Sequence, residues 1–383
     1  MKTNLSCMVI LFIGFPCLIS AQHALEGELN MFRPYDIIIK QQASYKDPGR
    51  TGASVLWDFS KLNVENEAYE LYYSTDNDTT VTGTEHLTRY HYTLQNDSLL
   101  LWGFDSPTTQ VKNIQPELLL RFPVNYGDTS QSHYYTHGKY GNRLEVDLMG
   151  TIETTADSYG MMILPDKDTL RNVLRTRTLK YIAEETVPIT KRYYDKTEAP
   201  LQIPPDSIDK RLSTDSVLFV TETFRWYGKG YRYPIFETVR SWEQHAGEQP
   251  YQFQNTAFFY PPQEHYYLDE DEANRALLEN QEQEENGEAG NNTAADPWAG
   301  LSYNIYPNPT TALLAIELYL PQTAGIRLQL RNTMGLILAE EEKGSHTAGI
   351  HDFQLDLSSA PVGNYVLDIW LNEHLVSEII MKR

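Results

Sequence analysis

Short strand-like segments separated by polar turns run from Asp36 to about Tyr267. Polar and apolar residues alternate in these segments with a period of two, which is the pattern of half-buried β-strands. We find no convincing amphipathic helix of ten residues or more before residue 268. The pattern predicts an all-β, mostly antiparallel domain, and it leaves open a sandwich, a barrel or a large curved sheet.

One hairpin stands out within this region. Residues 158–164 lead into the turn-forming run Pro165-Asp166-Lys167-Asp168, and residues 169–179 return with alternating polar side chains. Two strand-like runs around a short polar turn are typical of antiparallel partners. A second pair, residues 221–227 and 231–239, flanks a Gly-Lys-Gly turn.

The start of the chain has the features of a signal peptide. Lys2 supplies the positive charge, residues 8–19 are almost wholly apolar, and small residues precede a cleavage point after Ala21. Soluble export is the preferred interpretation, and a lipid anchor or a buried N-terminal helix are the alternatives. Both cysteines, Cys7 and Cys17, fall in this segment. The mature protein is therefore expected to contain no disulfide, no thiol nucleophile and no Cys-bound metal.

Residues 269–300 differ in composition from the rest of the chain. They are rich in Glu, Asp, Gly and Asn, with Arg275 as their one basic residue. Such a segment buries too little apolar surface to offset its chain entropy, so we expect an acidic, flexible linker. A short helix around residues 273–283 is one alternative. A calcium-binding segment is another, although the spacing of an EF-hand loop is missing.

Alternation returns in residues 301–383, where six or seven segments read as strands. That number of strands in about eighty residues predicts a small Ig-like β-sandwich. The expected organisation is therefore a signal peptide (1–21), a β-rich domain (22–268), an acidic linker (269–300) and a C-terminal sandwich (301–383).

Four sequence blocks in the C-terminal region occur in a characteristic order. They are Tyr-Pro-Asn-Pro-Thr-Thr from Tyr306, Leu-Arg-Asn-Thr-Met-Gly ending at Gly335, the run from Leu355 to Leu367, and the terminal Met-Lys-Arg. Together they resemble the type A C-terminal sorting domain of proteins exported by the type IX secretion system. The motif residues are Tyr306, Pro307, Asn308, Pro309, Gly335, Gly363, Tyr365, Lys382 and Arg383.

This resemblance implies a route and partners. Proteins of that family pass through the periplasm to the outer face of the outer membrane or into the medium. Their partners are the type IX translocon and a sortase, which usually removes the domain. From the residues themselves, Pro307 and Pro309 are expected to hold the opening of the domain extended, and Gly335 and Gly363 to allow turns.

The N-terminal domain resembles, less specifically, a β-rich module of uncharacterised activity found in such secreted proteins. The similarity lies in three segments, Ala156–Gly160, Leu164–Asp166 and Asp168–Arg175, and in the residues around Trp226 and Tyr231. The resemblance implies no function.

No pattern in the sequence predicts a catalytic, cofactor-binding or metal-binding residue. His133 and His137 are four residues apart, about 13 Å along a strand, which is too far for one metal ion. The net charge of −21 argues against nucleic-acid binding. Carboxylates are abundant, but the sequence cannot show whether any two face each other.

Aromatic residues interleaved with polar ones give the candidate binding surface. Trp226, Tyr227 and Tyr231 could stack on a glycan or contact a protein, while packing within the core is the plainer explanation. The preferred hypothesis is a non-catalytic secreted or surface protein with a binding or display role. The alternative is a secreted hydrolase acting on polysaccharide or protein, which a pocket with two facing carboxylates would favour.

Overall fold

The computed structural model describes residues 23–77, 79–190, 202–287 and 297–383. The predicted signal peptide, with Cys7 and Cys17, lies outside these ranges. The described residues are nearly all β-structure, which confirms the predicted fold class. None of the described helices is both long and apolar enough to cross a membrane.

Thirteen strands lie in the described N-terminal region. They are β1 (Ile37–Ala43), β2 (Gly52–Asp58), β3 (Val64–Asn77), β4 (Thr80–Glu85), β5 (Thr88–Gln95), β6 (Ser98–Asp105), β7 (Thr109–Arg121), β8 (Thr129–Tyr140), β9 (Leu144–Ile163), β10 (Thr169–Pro188), β11 (Val217–Gly228), β12 (Phe236–His245) and β13 (Tyr251–Phe259).

Twelve of these strands form a closed ring. Their order is β10-β11-β12-β13-β1-β3-β4-β5-β6-β7-β8-β9, and β9 pairs back to β10. Every pairing around the ring is antiparallel. Of the three architectures that the sequence left open, the barrel-like one is therefore present. The predicted hairpin at Pro165–Asp168 joins β9 to β10, the pair that closes the ring.

Strand β2 lies outside the ring and pairs in parallel with the end of β9. Gly160 permits this approach, because a Cβ at that position would lie 1.9 Å from the carbonyl oxygen of Val55. The other edge of β2 pairs in parallel with the first strand of the C-terminal domain, where Tyr303 is opposite Val55. One sheet thus continues from the ring into the C-terminal domain.

The C-terminal domain is a two-layered sandwich. Its strands are β14 (Ser302–Tyr306), β15 (Leu313–Leu320), β16 (Ala324–Asn332), β17 (Ile337–His346), β18 (Gly349–Asp356), β19 (Gly363–Leu371) and β20 (His374–Lys382). One layer has the order β14-β15-β18 and the other β17-β16-β19-β20. Their facing apolar residues, including Leu314, Leu328 and Leu367, form one buried core.

The described residues also contain three α-helices: α1 (Gly27–Asn30), α2 (Pro205–Thr214) and α3 (Glu272–Gly287). The prediction of no helix of ten residues before residue 268 is wrong, because α2 has ten. Ile208 of α2 is buried near Tyr135 and Met149, and Leu212, one turn later, packs on the same cluster, so the apolar face has only two residues and gives a weak periodic signal.

Of the segment predicted as a linker, the structure describes residues 269–287 as largely helical and residues 297–300 as a turn. Residues 272–287 form α3, and its start is held to the ring by an ion pair between Asp271 and Arg232, at 2.6 Å. Asn274 donates a hydrogen bond to the carbonyl of Leu29, at 3.0 Å. After the undescribed residues 288–296, Trp298 stacks on His374 of the sandwich. The start of α3 and Trp298 are therefore each packed against a neighbouring domain, while residues 275–283 of α3 are exposed or half-buried.

Trp226 occupies the centre of the largest aromatic cluster on the outer side of the ring. The indole of Trp226 is 0% exposed. It contacts the aromatic side chains of Phe59, Phe236 and Trp57 edge to face, with centroid distances of 5.4, 5.5 and 6.0 Å. Trp57 belongs to β2, and Phe59 directly follows the end of that strand. β2 therefore covers this part of the ring of strands. The cluster joins β2 to the ring through apolar contact.

We predict that Trp226→Ala lowers the free energy of unfolding by about 3–5 kcal/mol, because it removes a fully buried ring and leaves a cavity. Chemical denaturation followed by circular dichroism measures the change. Tyr251→Ala is the matched control: this ring of β13 is 63% exposed, and its loss should stay within about 0.5 kcal/mol. Equal effects of the two substitutions would show that Trp226 is not a core residue.

Candidate functional site

The opening motif of the C-terminal domain lies against the last residues of the chain. The side chain of Asn308 donates to the carbonyl of Ile379, at 2.7 Å, and accepts the amide of Met381, at 2.9 Å. Thr310 then continues as a parallel bridge to Lys382, donating its amide to the carbonyl of Met381 and accepting that of Arg383. The first and last motifs therefore form one unit.

The chain bends between β14 and Thr310 instead of running extended as predicted. The peptide bonds before Pro307 and Pro309 are both cis. Tyr306, the residue before the bend, donates its hydroxyl to Glu317 at 2.5 Å. The bend at residues 307–309 brings the side chain of Asn308 to the edge of β20.

The remaining motif residues lie at the same end of the sandwich. Gly363 and Tyr365 are opposite Lys382 and Ile380 in the β19–β20 pair. Tyr365 also donates its hydroxyl to the carbonyl of Pro361, at 2.6 Å, and so ties down the turn before β19. Asn332, at the end of β16, is opposite Tyr365 and begins the turn that contains Gly335.

Gly335 has φ of +88°, a conformation that side chains disfavour. The side-chain oxygen of Asn332 accepts the amides of Met334 and Leu336, at 3.0 and 2.9 Å, and stabilises the turn. We call the convergent set, residues 306–310, 332–336, 361–365 and 379–383, the motif end. Within it Lys382 is largely buried and Arg383 is exposed.

The three candidate binding aromatics of the N-terminal domain do not share an exposed face. Trp226 is buried on the outer side of the ring. Tyr227 points to the other side of β11 and packs with Leu174 and Leu25. Tyr231 is half-buried against His265. Trp226 and Tyr227 lie on different sides of β11, because consecutive residues of a strand point to opposite faces.

The interior of the ring contains charge pairs that the sequence did not reveal. Lys40 contacts Glu85 at 2.5 Å, Lys180 donates to Glu117 at 2.7 Å, and Arg225 is paired with Glu237. The members of each pair come from different strands. Ionised groups at low exposure require such partners, since an unpaired buried charge is strongly unfavourable.

Tyrosine rings surround two of these pairs. The Lys40 ammonium is 4.8, 4.2 and 5.5 Å from the ring centroids of Tyr69, Phe258 and Tyr260. Burial raises the pKa of Tyr92. The charges of Glu85 and Glu237 raise it further, and the charge of Arg225 lowers it. Tyr92 is on β5 and Arg225 on β11, which are six places apart in the ring. The two side chains therefore approach each other across the interior.

A further buried pair lies on the outer side of the ring. Arg175 is fully buried and binds Asp157 through two hydrogen bonds of 2.8 and 2.9 Å, while Ser158 accepts a third at 2.8 Å. Its guanidinium also lies against the rings of Phe224 and Trp226. Asp157, Ser158 and Arg175 belong to the segments whose resemblance is noted above. In the structure these three residues meet in one buried ion pair and its hydrogen bonds.

The two histidines that were considered as metal ligands each contact a carboxylate. His133 contacts Asp209 at 2.8 Å and His137 contacts Asp147 at 2.7 Å. Among the described residues, no group of three or more His, Cys, Asp or Glu side chains is placed to hold a metal ion.

Comparison with known proteins identifies the C-terminal region. Residues 304–382 match the family described as "Secretion system C-terminal sorting domain". No curated protein matches the chain. The match agrees with the resemblance drawn from the four blocks and covers about a fifth of the chain. It indicates that the protein is exported by the type IX secretion system and is secreted or placed at the cell surface.

We predict that Asn308→Ala destabilises the sorting domain by about 1–2 kcal/mol, because the exposed edge of β20 loses two hydrogen bonds, each worth about 0.5–1.5 kcal/mol. Thermal unfolding of the purified chain measures the change. Asn364→Ala, an exposed asparagine on β19, is the control and should have no measurable effect. If the two variants melt together, Asn308 does not hold the chain end.

Proposed function

We propose that this protein, whose C-terminal domain is a type IX sorting domain, is a non-catalytic binding or display protein. In this proposal it passes through the periplasm to the outer face of the outer membrane or into the medium. The translocon and the sortase are its partners during export. The observation that carries the export part of the proposal is the convergence of all four sequence blocks at the motif end.

The motif end also exposes large apolar side chains. Met334 is 88% exposed and Val362 is 76% exposed. Leu336, Ile379 and Met381 of the same end are exposed as well. Apolar residues grouped on turns and on an edge strand are a common mark of a protein contact. We therefore assign the motif end as the surface that the export machinery contacts.

The binding role rests on the interior of the ring. Arg225 keeps 34% of its side chain exposed although it lies inside the ring and is paired with Glu237. Hydroxyl-bearing rings such as Tyr90 and Tyr92 line the same region, half-buried. Tyrosines and a guanidinium can stack on and hydrogen-bond a sugar. The interior carboxylates are held by Lys or Arg, which favours binding over the acid–base chemistry of a hydrolase.

We expect removal of residues 302–383 to leave the protein in the periplasm, since the signal peptide would still direct it across the inner membrane. Fractionation and surface protease accessibility of the producing cells measure this. Normal arrival of the truncated protein at the surface would contradict the assignment.

A sharper version of the same test leaves the domain folded. Met334→Glu together with Val362→Glu places two charges on the turns of the motif end and should block export. Ile350→Glu is the control, because Ile350 is exposed at the start of β18, at the opposite end of the sandwich. Equal export of both variants would exclude the motif end as the contact surface.

For the binding role, a glycan array probed with residues 22–383 should yield a ligand whose binding is lost in Arg225→Gln. Arg225→Gln with Glu237→Gln removes the charge pair as a unit and checks that the loss is not misfolding. Arg327→Gln, on the sorting domain, should bind normally. Turnover of a polysaccharide or protein substrate by the purified chain would overturn the non-catalytic assignment.

A further inference from the structure

The outer edge of β2 is the place where the N-terminal domain meets the sorting domain. β2 uses one edge to pair with β9 and the other to pair with β14. An uncovered strand edge presents unpaired amides and carbonyls to any other chain. β14 covers part of this edge, so the sorting domain completes a sheet that the N-terminal domain begins.

Arg50 is the centre of the contact. Its guanidinium lies 3.9 Å from the ring centroid of Tyr303 and donates to the Tyr303 carbonyl at 3.2 Å. On the N-terminal side it donates to the carbonyls of Ala53 and Ser54, at 2.8 and 2.9 Å. It is also 3.5 Å from Glu378 of β20. One partly buried cation, with 14% of its side chain exposed, therefore joins both domains.

The ring of Tyr303 strengthens this arrangement from the other side. Its hydroxyl donates to the same Glu378 oxygen, at 2.6 Å. Arg50, Tyr303 and Glu378 thus form a closed set in which each member contacts the other two. Such charge-assisted contacts, when shielded from water, are costly to break one partner at a time.

A second contact extends the interface. Arg171 of β10 donates to the hydroxyl of Tyr319, at 2.7 Å. The ring of Tyr319 packs on a buried apolar group made of Leu56, Met161 and Ile163. We call these residues, with Arg50 and Val55, the docking face of the N-terminal domain. It combines an apolar patch, a strand edge and two arginines.

Asp58 brings a negative charge of the N-terminal domain towards two carboxylates of the sorting domain, Glu317 and Asp352, which are opposite each other in the β15–β18 pair. Glu317 of β15 is close to Asp58 of β2 and Asp352 of β18. Burial raises the pKa of Glu317, and Asp58 and Asp352 raise it further. Like charges that meet across a boundary reduce the net affinity of the contact.

From these contacts we infer that the docking face is a receptor for the sorting domain, which stays bound to the N-terminal domain without a covalent connection. Cutting the chain between α3 and Trp298 does not by itself release the sorting domain. The motif end keeps its exposed residues while the domain is docked, because docking uses Tyr303, Tyr319 and Glu378. The inference does not depend on the binding role proposed for the ring.

The test uses residues 22–383 with residues 290–295 replaced by the recognition sequence of a site-specific protease. Cleavage is confirmed on a denaturing gel, and the native sample is then analysed by gel filtration at about 1 µM, where only complexes with a lower Kd persist. The cut wild-type fragments should elute together at the volume of the uncut chain. Separate elution of the wild-type fragments would overturn the inference.

Arg50→Ala should allow the cut fragments to separate and should raise their dissociation rate, measured on a biosensor surface, at least tenfold, or about 1.4 kcal/mol. The matched control is Arg327→Ala, which removes an arginine that contacts Glu340 and Trp370 within the sorting domain itself. Circular dichroism of both uncut variants verifies folding. Dissociation of Arg50→Ala no faster than that of Arg327→Ala would contradict the inference.

Two further variants keep the test independent of Arg50. Arg171→Ala removes the second contact and should raise the dissociation rate by a smaller factor. Glu317→Gln keeps an acceptor for Tyr306 but removes one of the three like charges, so it should slow dissociation. A faster dissociation of Glu317→Gln would contradict the assigned interface.

Discussion

The pairing of β9 with β10 is the interaction on which the rest of the structure depends. Each strand has 20 residues, and their antiparallel ladder turns an open sheet of twelve strands into a ring. The end of β9 extends beyond β8 and is free to pair with β2. One long hairpin therefore closes the ring and also supplies the strand edge to which β2, and through β2 the second domain, is paired. The described residues contain no cysteine, so their long-range order comes from backbone pairing of this kind and from core packing.

The two sides of the ring have opposite chemistry. On the outer side, β2 and its flanks cover an apolar cluster around Trp226, with Arg175 held among the rings by Asp157. The inner side carries paired charges and tyrosines in addition to apolar groups. A polar interior is less favourable for stability than a hydrophobic one, since each charge must be desolvated. Its retention agrees with the proposed ligand site.

The sorting domain is organised around contacts between its first and last residues. Asn308 fastens the opening motif to β20, and the turns before β17 and β19 lie at the same end. The motif end therefore becomes complete only after the last strand has paired. Docking of the same domain through Arg50 engages a different surface. A folded domain can thus present the motif end while the N-terminal domain remains attached to it.

The sequence by itself determined the local properties of this protein. Alternation predicted the all-β fold and the hairpin at Pro165–Asp168, and four short blocks identified the sorting domain. It did not reveal α2, because the apolar face of that helix is a single pair, Ile208 and Leu212. Periodicity also shows that a strand has two faces without showing what covers each. Trp226 and Tyr227 were read together, yet one lies in the outer core and the other lines the interior.

Only the tertiary structure decided which strands pair and which distant residues meet. Closure of the ring places Arg225 opposite Tyr92, and the turn at Pro307–Pro309 brings Asn308 to Ile379. Arg50 had no distinguishing neighbours in the sequence, and its partners Tyr303 and Glu378 belong to the other domain. These contacts depend on strand order and register over long separations, which a local pattern does not encode. Local periodicity thus determined the elements, and long-range pairing determined the sites.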